Sequence, residues 1–150
     1  MPYFNLQLTP NQGLVANAII AVSHARRVAL TALQQPVPNA ISVRLLVDTG
    51  ASHTCIDPSV LQSLGLTPTG IATVNTPTTG TQPQNQDQYD ISLLIPGSHP
   101  THFPLVVPNI PVICAQFLQA QGFHGLLGRD VLSRCILIYN GPASMFTVAY

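Results

Sequence analysis

Fourteen prolines and ten glycines are spread through 150 residues and cut the chain into short segments. Proline withholds a backbone donor and fixes one dihedral, while glycine tolerates turns, so segments bounded by them favour strands over long helices. Residues 3–8 alternate, with Phe4, Leu6 and Leu8 on one face, and 14–22 and 41–47 are strongly β-prone. The pattern predicts a mainly β fold with short helices.

Two helices are expected within it. Across 24–35, Ala25, Val28, Ala29, Ala32 and Leu33 recur at helical spacing, which predicts an extra amphipathic helix ended at Pro36. In 56–65, Asp57 suits the N-cap, Pro58 the first helical position and Gly65 the C-terminal cap. From 70 to 88 the chain is largely Thr, Pro, Gln and Asn, then β-like over 89–95. This reads as a polar, flap-like loop spanning 70–90 with Thr78, Thr79 and Gly80 as its candidate residues, although an ordinary surface loop has the same composition. Pro108 and Pro111 break the stretch 105–113, predicting an edge strand or a groove-lining loop. Residues 135–150 read as two strands around Asn140-Gly141, with Pro142 requiring more than a two-residue turn.

Hydrophobic content of 46% in 16.0 kDa supports one core, so residues 1–150 are expected to form a single domain. Charged residues are only 7%, with no Lys and no Glu, and the formal net charge is zero. Such a surface offers no electrostatic footprint for nucleic acid or anionic membrane, and its weak repulsion suits self-association. Cys55, Cys114 and Cys135 are an odd number without metal-ligand spacing, which points to reduced thiols used as apolar filler. The apolar run 14–22 is too short to span a bilayer, and no leader pattern precedes it, so a cytoplasmic protein is expected.

The residues that carry chemistry stand in two places. Val47-Asp48-Thr49-Gly50-Ala51 follows an apolar stretch, and Leu126-Leu127-Gly128-Arg129-Asp130-Val131-Leu132 precedes the last hairpin. In this order, with a capped helix and a polar loop between them, they resemble the two halves of the active site of the retropepsin-like (retroviral-type) aspartic proteases. Single-domain bacterial members and the retropepsin-like domain of eukaryotic ubiquitin shuttles are the nearest in pattern, over 41–150. The resemblance implies a retropepsin-like closed-barrel fold and a homodimeric endopeptidase that hydrolyses extended, apolar segments of a peptide or protein substrate without cofactor or metal.

That chemistry needs two carboxylates sharing one proton around a water, one acting as base while the other polarises the scissile carbonyl. The Asp-Thr-Gly triplet occurs once, so the second Asp48 must come from another copy of the chain. By the same resemblance Asp48 is the catalytic carboxylate, Thr49 hydrogen-bonds across the twofold, and Gly50 contacts the substrate backbone. Ala51 lacks the hydroxyl with which a Ser there would favour the ionised carboxylate, so cleavage is expected at a less acidic pH than in pepsin-like enzymes. Gly128 would let a buried strand pass close beneath the catalytic loop. Asp130 would sit at the start of a short helix, and Arg129 would make ion pairs holding that loop or the partner subunit.

Three departures from the viral pattern matter: Ser52 and His53 replace acidic residues, the flap has the single glycine Gly80 beyond Gly70 at its start, and the helix 24–35 has no viral counterpart. His53 reads as a solvent-facing or substrate-pocket histidine and Cys55 as a buried thiol. The strands 3–8 and 144–150 are candidates for an intersubunit sheet, with the helix 24–35 as an alternative cover for that edge. A rival reading is a catalytically weak or silent dimer that binds peptides in its groove or serves only to dimerise.

Overall fold

The computed structural model describes residues 1–8, 13–75, 83–116 and 121–150. Ten strands and three helices follow one another as β1 (Tyr3–Gln7), β2 (Val15–Val22), α1 (His24–Ala32), β3 (Ile41–Val47), β4 (Cys55–Ile56), α2 (Pro58–Ser63), β5 (Gly70–Val74), β6 (Gln84–Ile95), β7 (Leu105–Cys114), β8 (Gly125–Leu127), α3 (Arg129–Leu132), β9 (Ile136–Asn140) and β10 (Met145–Ala149). The larger sheet runs β2-β3-β8-β4-β7-β6-β5, and β2 also pairs with β6, so six of its strands close into a barrel while β5 hangs outside β6. The expected mainly β barrel with short helices is present.

Alternation makes the barrel. On β2, Ala16, Ala18, Ile20 and Val22 are buried while their neighbours face outward, and Val43, Leu45 and Val47 do the same on β3. Ile91, Leu93 and Ile95 of β6 and Val107 and Val112 of β7 complete the interior. Val60, Leu61 and Leu64 from the α2 segment and Val131 and Leu132 from α3 join the same core. Burying an aliphatic side chain contributes roughly 1.5–3 kcal/mol, so this lining is the main source of stability.

α2 has the expected ends. Asp57 accepts from Ser59 N at 3.0 Å and from Ser59 Oγ at 2.6 Å, Pro58 opens the helix, and Gly65 follows it with φ of +60°. α1 stops at Ala32 rather than continuing to 35, because Gln34 turns into the left-handed region at φ of +55°. None of its residues is buried. It is held instead by polar ends, with Ala25 N bonded to Asn109 Oδ1 at 3.1 Å and an Arg26 nitrogen 3.4 Å from the Gly65 carbonyl. It therefore lies against β7 and the end of α2 and does not cover the terminal strands.

The stretch read as a polar loop is instead largely a hairpin. β5 and β6 pair antiparallel from Gly70↔Gln88 to Val74↔Gln84. Thr, Gln and Asn on a ribbon that leaves Ile71 mostly exposed mask the strand period, yet the backbone ladder forms without an apolar face. The candidates Thr78, Thr79 and Gly80 lie outside the described residues. β7 is only partly an edge: β6 flanks its length, and β4 joins its far side at Ile113 and Cys114 alone. Pro111 sits before that junction, and Pro108 falls where the register shifts between Ile91 and Leu93, a bulge that absorbs the missing donor.

The terminal hairpin has a four-residue loop between the Asn140↔Met145 pair, as Pro142 requires. β10 pairs with β1 of the same chain, from Tyr3↔Ala149 to Gln7↔Met145, giving a three-stranded sheet β1-β10-β9. The strands 3–8 and 144–150, expected in an intersubunit sheet, pair with each other within one chain.

The N-cap of α2 yields a direct test. Asp57→Ala removes the acceptor for Ser59 N–H and is expected to lower stability by about 0.5–2 kcal/mol. Urea unfolding followed by far-UV circular dichroism would read that loss as a lower midpoint at unchanged slope.

Candidate active site

Asp48 is placed by strand ends. β8 lies parallel to β3 on one side, with Val47↔Leu127 the last pair, and antiparallel to β4 on the other, with Cys55↔Leu126. The chain thus leaves β3, loops over the end of β8 and returns as β4. Asp48 N–H donates to the Leu127 carbonyl at 3.0 Å and Val47 N–H to the Leu14 carbonyl at 2.7 Å, which fixes where the loop begins. Gly50 N–H donates to Asp48 Oδ1 at 2.8 Å, turning one carboxylate oxygen inward. Asp48 is half-buried, while Thr49 and Gly50 are exposed.

Glycine is required under this loop. A Cβ on Gly128 would collide with the backbone of His53 and would stand 2.8 Å from Thr54 N. One on Gly125 would strike the Cys55 carbonyl in the same way. Because those obstacles are backbone, no side-chain rearrangement relieves them, and β8 passes beneath the loop only with glycines there.

Thr54 and Asp130 lock the loop to α3. Thr54 is fully buried. Its N–H donates to Asp130 Oδ2 and its hydroxyl to Oδ1, each at 2.8 Å, and Gly128 N–H donates to Thr54 Oγ1 at 3.2 Å. Asp130 Oδ1 also accepts from Val131 N–H at 3.0 Å, and Arg129 N–H donates to the Ala51 carbonyl at 2.9 Å. Asp130 therefore does more than favour a helix terminus. The expected ion pair from Arg129 to the loop is absent among the described residues: the backbone of Arg129 makes the contact, and its side chain is exposed. Thr54 was not singled out from sequence. A threonine between the loop and a short strand is unremarkable until its burial is known, when its hydroxyl must find a partner.

A groove of about 530 Å³ opens over Asp48, within the range of small-ligand and peptide sites. The loop contributes Gly50, Ala51, Ser52 and His53, and Cys55, Ile113 and Leu126 form an apolar wall. Thr73, Val74 and Asn75 from the end of β5 line it as well, so the hairpin stands over the same space. Asp48 is the only acid among its lining residues. His53 is exposed in the groove with Nδ1 2.9 Å from Ser52 Oγ, as a pocket histidine should be. Cys55 is half-buried, with its thiol pushed up to about 11 by burial first and by the carboxylates of Asp130 and Asp48 second. It is a neutral, weakly nucleophilic wall residue. Burial likewise raises Cys114 and Cys135, and no group of three or more His, Cys, Asp or Glu side chains among the described residues is arranged to hold a metal.

Comparison with known proteins agrees with this geometry. Residues 37–131 match the family model described as aspartyl protease. Among solved structures, the crystal structure of a retropepsin-like aspartic protease from Rickettsia conorii superposes with a TM-score of 0.62 at 16% identity, covering 99% of this chain and 90% of that one. The chain is similar to it in fold. No curated protein matches.

Two measurements check the site. Thr54→Val removes the hydroxyl that donates to Asp130 Oδ1 and accepts from Gly128 N–H, while the backbone bond to Oδ2 stays, and is expected to cost roughly 1–3 kcal/mol in a denaturant melt. Because the raised Cys55 thiol is deprotonated only as pH climbs towards about 11, iodoacetamide should label it at pH 8 well below the rate of a free cysteine.

Proposed function

The chain belongs to the aspartyl protease family whose model spans residues 37–131, and from that membership we propose that it is a homodimeric aspartic endopeptidase of retropepsin-like type. The observation that carries this reading is the groove with a single acid. One carboxylate cannot both take a proton from water and hold a proton against the scissile carbonyl, and Asp130 is committed to Thr54. A second Asp48, brought by another copy, supplies the missing half. The two carboxylates then share one proton around the attacking water, and the apparent ionisations belong to the pair.

The remaining roles follow from position. Asp48 is the catalytic carboxylate. Exposed Thr49 stands at the lip of the loop, available to bond across the twofold, and Gly50 offers a side-chain-free stretch of backbone to an extended substrate. Ala51, Gly128, Arg129 and Asp130 support the loop from behind, and the exposed guanidinium of Arg129 is free to meet the partner subunit. The hairpin β5–β6, whose Thr73, Val74 and Asn75 end lines the groove, acts as the flap over the substrate. The apolar wall of Cys55, Ile113 and Leu126 favours uncharged side chains in the cleaved peptide. Unpaired thiols fit a reducing, cytoplasmic setting, and no described helix is long and apolar enough to cross a membrane.

A peptide library incubated with wild type and with Asp48→Asn tests the assignment. Wild type is expected to cleave extended apolar sequences and Asp48→Asn to fall to background, with both variants equally folded. Equal peptide binding without cleavage by either would favour a binding module instead.

A further inference from the structure

We propose that the outer face of β2, β6 and β7 holds a binding site for an apolar monocarboxylate, a single acyl chain whose anionic end is taken by Arg27. The inference stands apart from the peptidase reading, because none of the residues lining this pocket lines the groove over Asp48.

Alternation sends one apolar side chain outward from each of three neighbouring strands. Ile20, Leu93 and Val107 are buried inside the barrel, so Ile19, Leu94 and Val106 beside them face away from it. The register sets these three in one row, with Ile19 opposite Leu94 and Leu94 opposite Val106. Ile19 and Val106 remain 37 and 51% exposed, on a sheet face where alternation ordinarily places polar groups. Val37 and Ala40, from the segment between α1 and β3, line the same hollow, which measures about 260 Å³. That volume is small for a drug-sized ligand and suits one chain. With neighbouring strands roughly 4.8 Å apart, the row spans about 10 Å, close to the length of an eight-carbon chain.

Polar groups at the rim decide which end the ligand must carry. Arg27 and His24 line the pocket, and no Asp or Glu does. A guanidinium nitrogen of Arg27 lies 3.1 Å from His24 Nδ1. Because a guanidinium can only donate, Nδ1 accepts, the ring proton sits on Nε2, and Arg27 keeps its charge and its remaining donors. Among the described residues no carboxylate pairs with Arg27. A ligand carboxylate would accept bidentate, charge-assisted bonds there, which an alcohol of the same length cannot match.

The backbone argues against an extended peptide as the occupant. β2 is paired with both β3 and β6 at Ile19, and β6 with both β2 and β7 at Leu94. The ladder under the row is therefore already filled, and no further strand can add to it. Recognition is left to side chains, with apolar contact along the row and charge at Arg27.

Isothermal titration calorimetry tests this with octanoate, octanol, acetate and an apolar tripeptide bearing a free C-terminus. The proteins are wild type, Arg27→Gln, Val106→Asn and Val28→Asn, each checked for folding by far-UV circular dichroism. Val28 is exposed on α1 but lies outside the pocket. Wild type and Val28→Asn are expected to take up one octanoate per chain, and to bind octanol and acetate at least about tenfold more weakly. Arg27→Gln should lose about tenfold for octanoate and nothing for octanol, whereas Val106→Asn should weaken both. Octanoate binding that never saturates, or that Val106→Asn leaves intact, would overturn the site. Unchanged octanoate affinity in folded Arg27→Gln would overturn the carboxylate assignment. A tripeptide that binds more tightly than octanoate would overturn the acyl chain as occupant in favour of a peptide terminus.

Discussion

Backbone presses on backbone where Gly128 passes beneath His53 and Thr54, and much of the site depends on that contact. It brings the end of β8 under the loop from β3 to β4, so that Asp48 N–H finds the Leu127 carbonyl and Arg129 N–H finds that of Ala51. With the loop so close, the Asp130 carboxylate reaches Thr54 and satisfies a buried hydroxyl and a buried amide at once. A carboxylate fixed by donors from a buried residue is rigid, because leaving the buried side unpaired is expensive. Asp48 is thereby held from behind while its own side chain stays half open to the groove.

Scarcity of charge shapes the rest. Without Lys or Glu, the chain makes its polar contacts with hydroxyls, amides and backbone, as in Thr101 on His99 and Thr147 on Asn5. Such bonds are short-ranged and little affected by salt, so fold and groove should respond weakly to ionic strength. Of the five aspartates, Asp57 caps α2, Asp130 locks the loop, and Asp48 lines the groove.

The parts legible in sequence were those written in local chemistry. Asp57, Pro58 and Gly65 bounded α2, alternation marked β2 and β3, and Pro142 lengthened the last turn. The loop between β3 and β4 was legible because Asp48, Thr49 and Gly50 are adjacent in the chain. Less was visible wherever partners are distant. The hairpin β5–β6 hid behind polar side chains, since cross-strand backbone bonds leave no compositional trace. Thr54 became important only when β8 brought Asp130 to it across the fold. Arg129 was read as an ion-pairing side chain, but Ser52 and His53 stand where acids were looked for, and it is the Arg129 backbone N–H that bonds the loop at the Ala51 carbonyl. The helix end moved from 35 to Ala32 because Gln34 adopts a positive φ that its residue type does not announce.

Pairing of β1 with β10 inside one chain changes how a dimer would be controlled. Where terminal strands interleave between subunits, folding and association form one equilibrium, and a lone protomer is left with unsatisfied strands. Here the protomer sheet is complete and its β1 edge is sealed by Ser98 and His102, so folding stability resides within the chain. On the proposed reading, what association would add is the second carboxylate, and activity would then rise with protein concentration while the protomer fold stays unchanged.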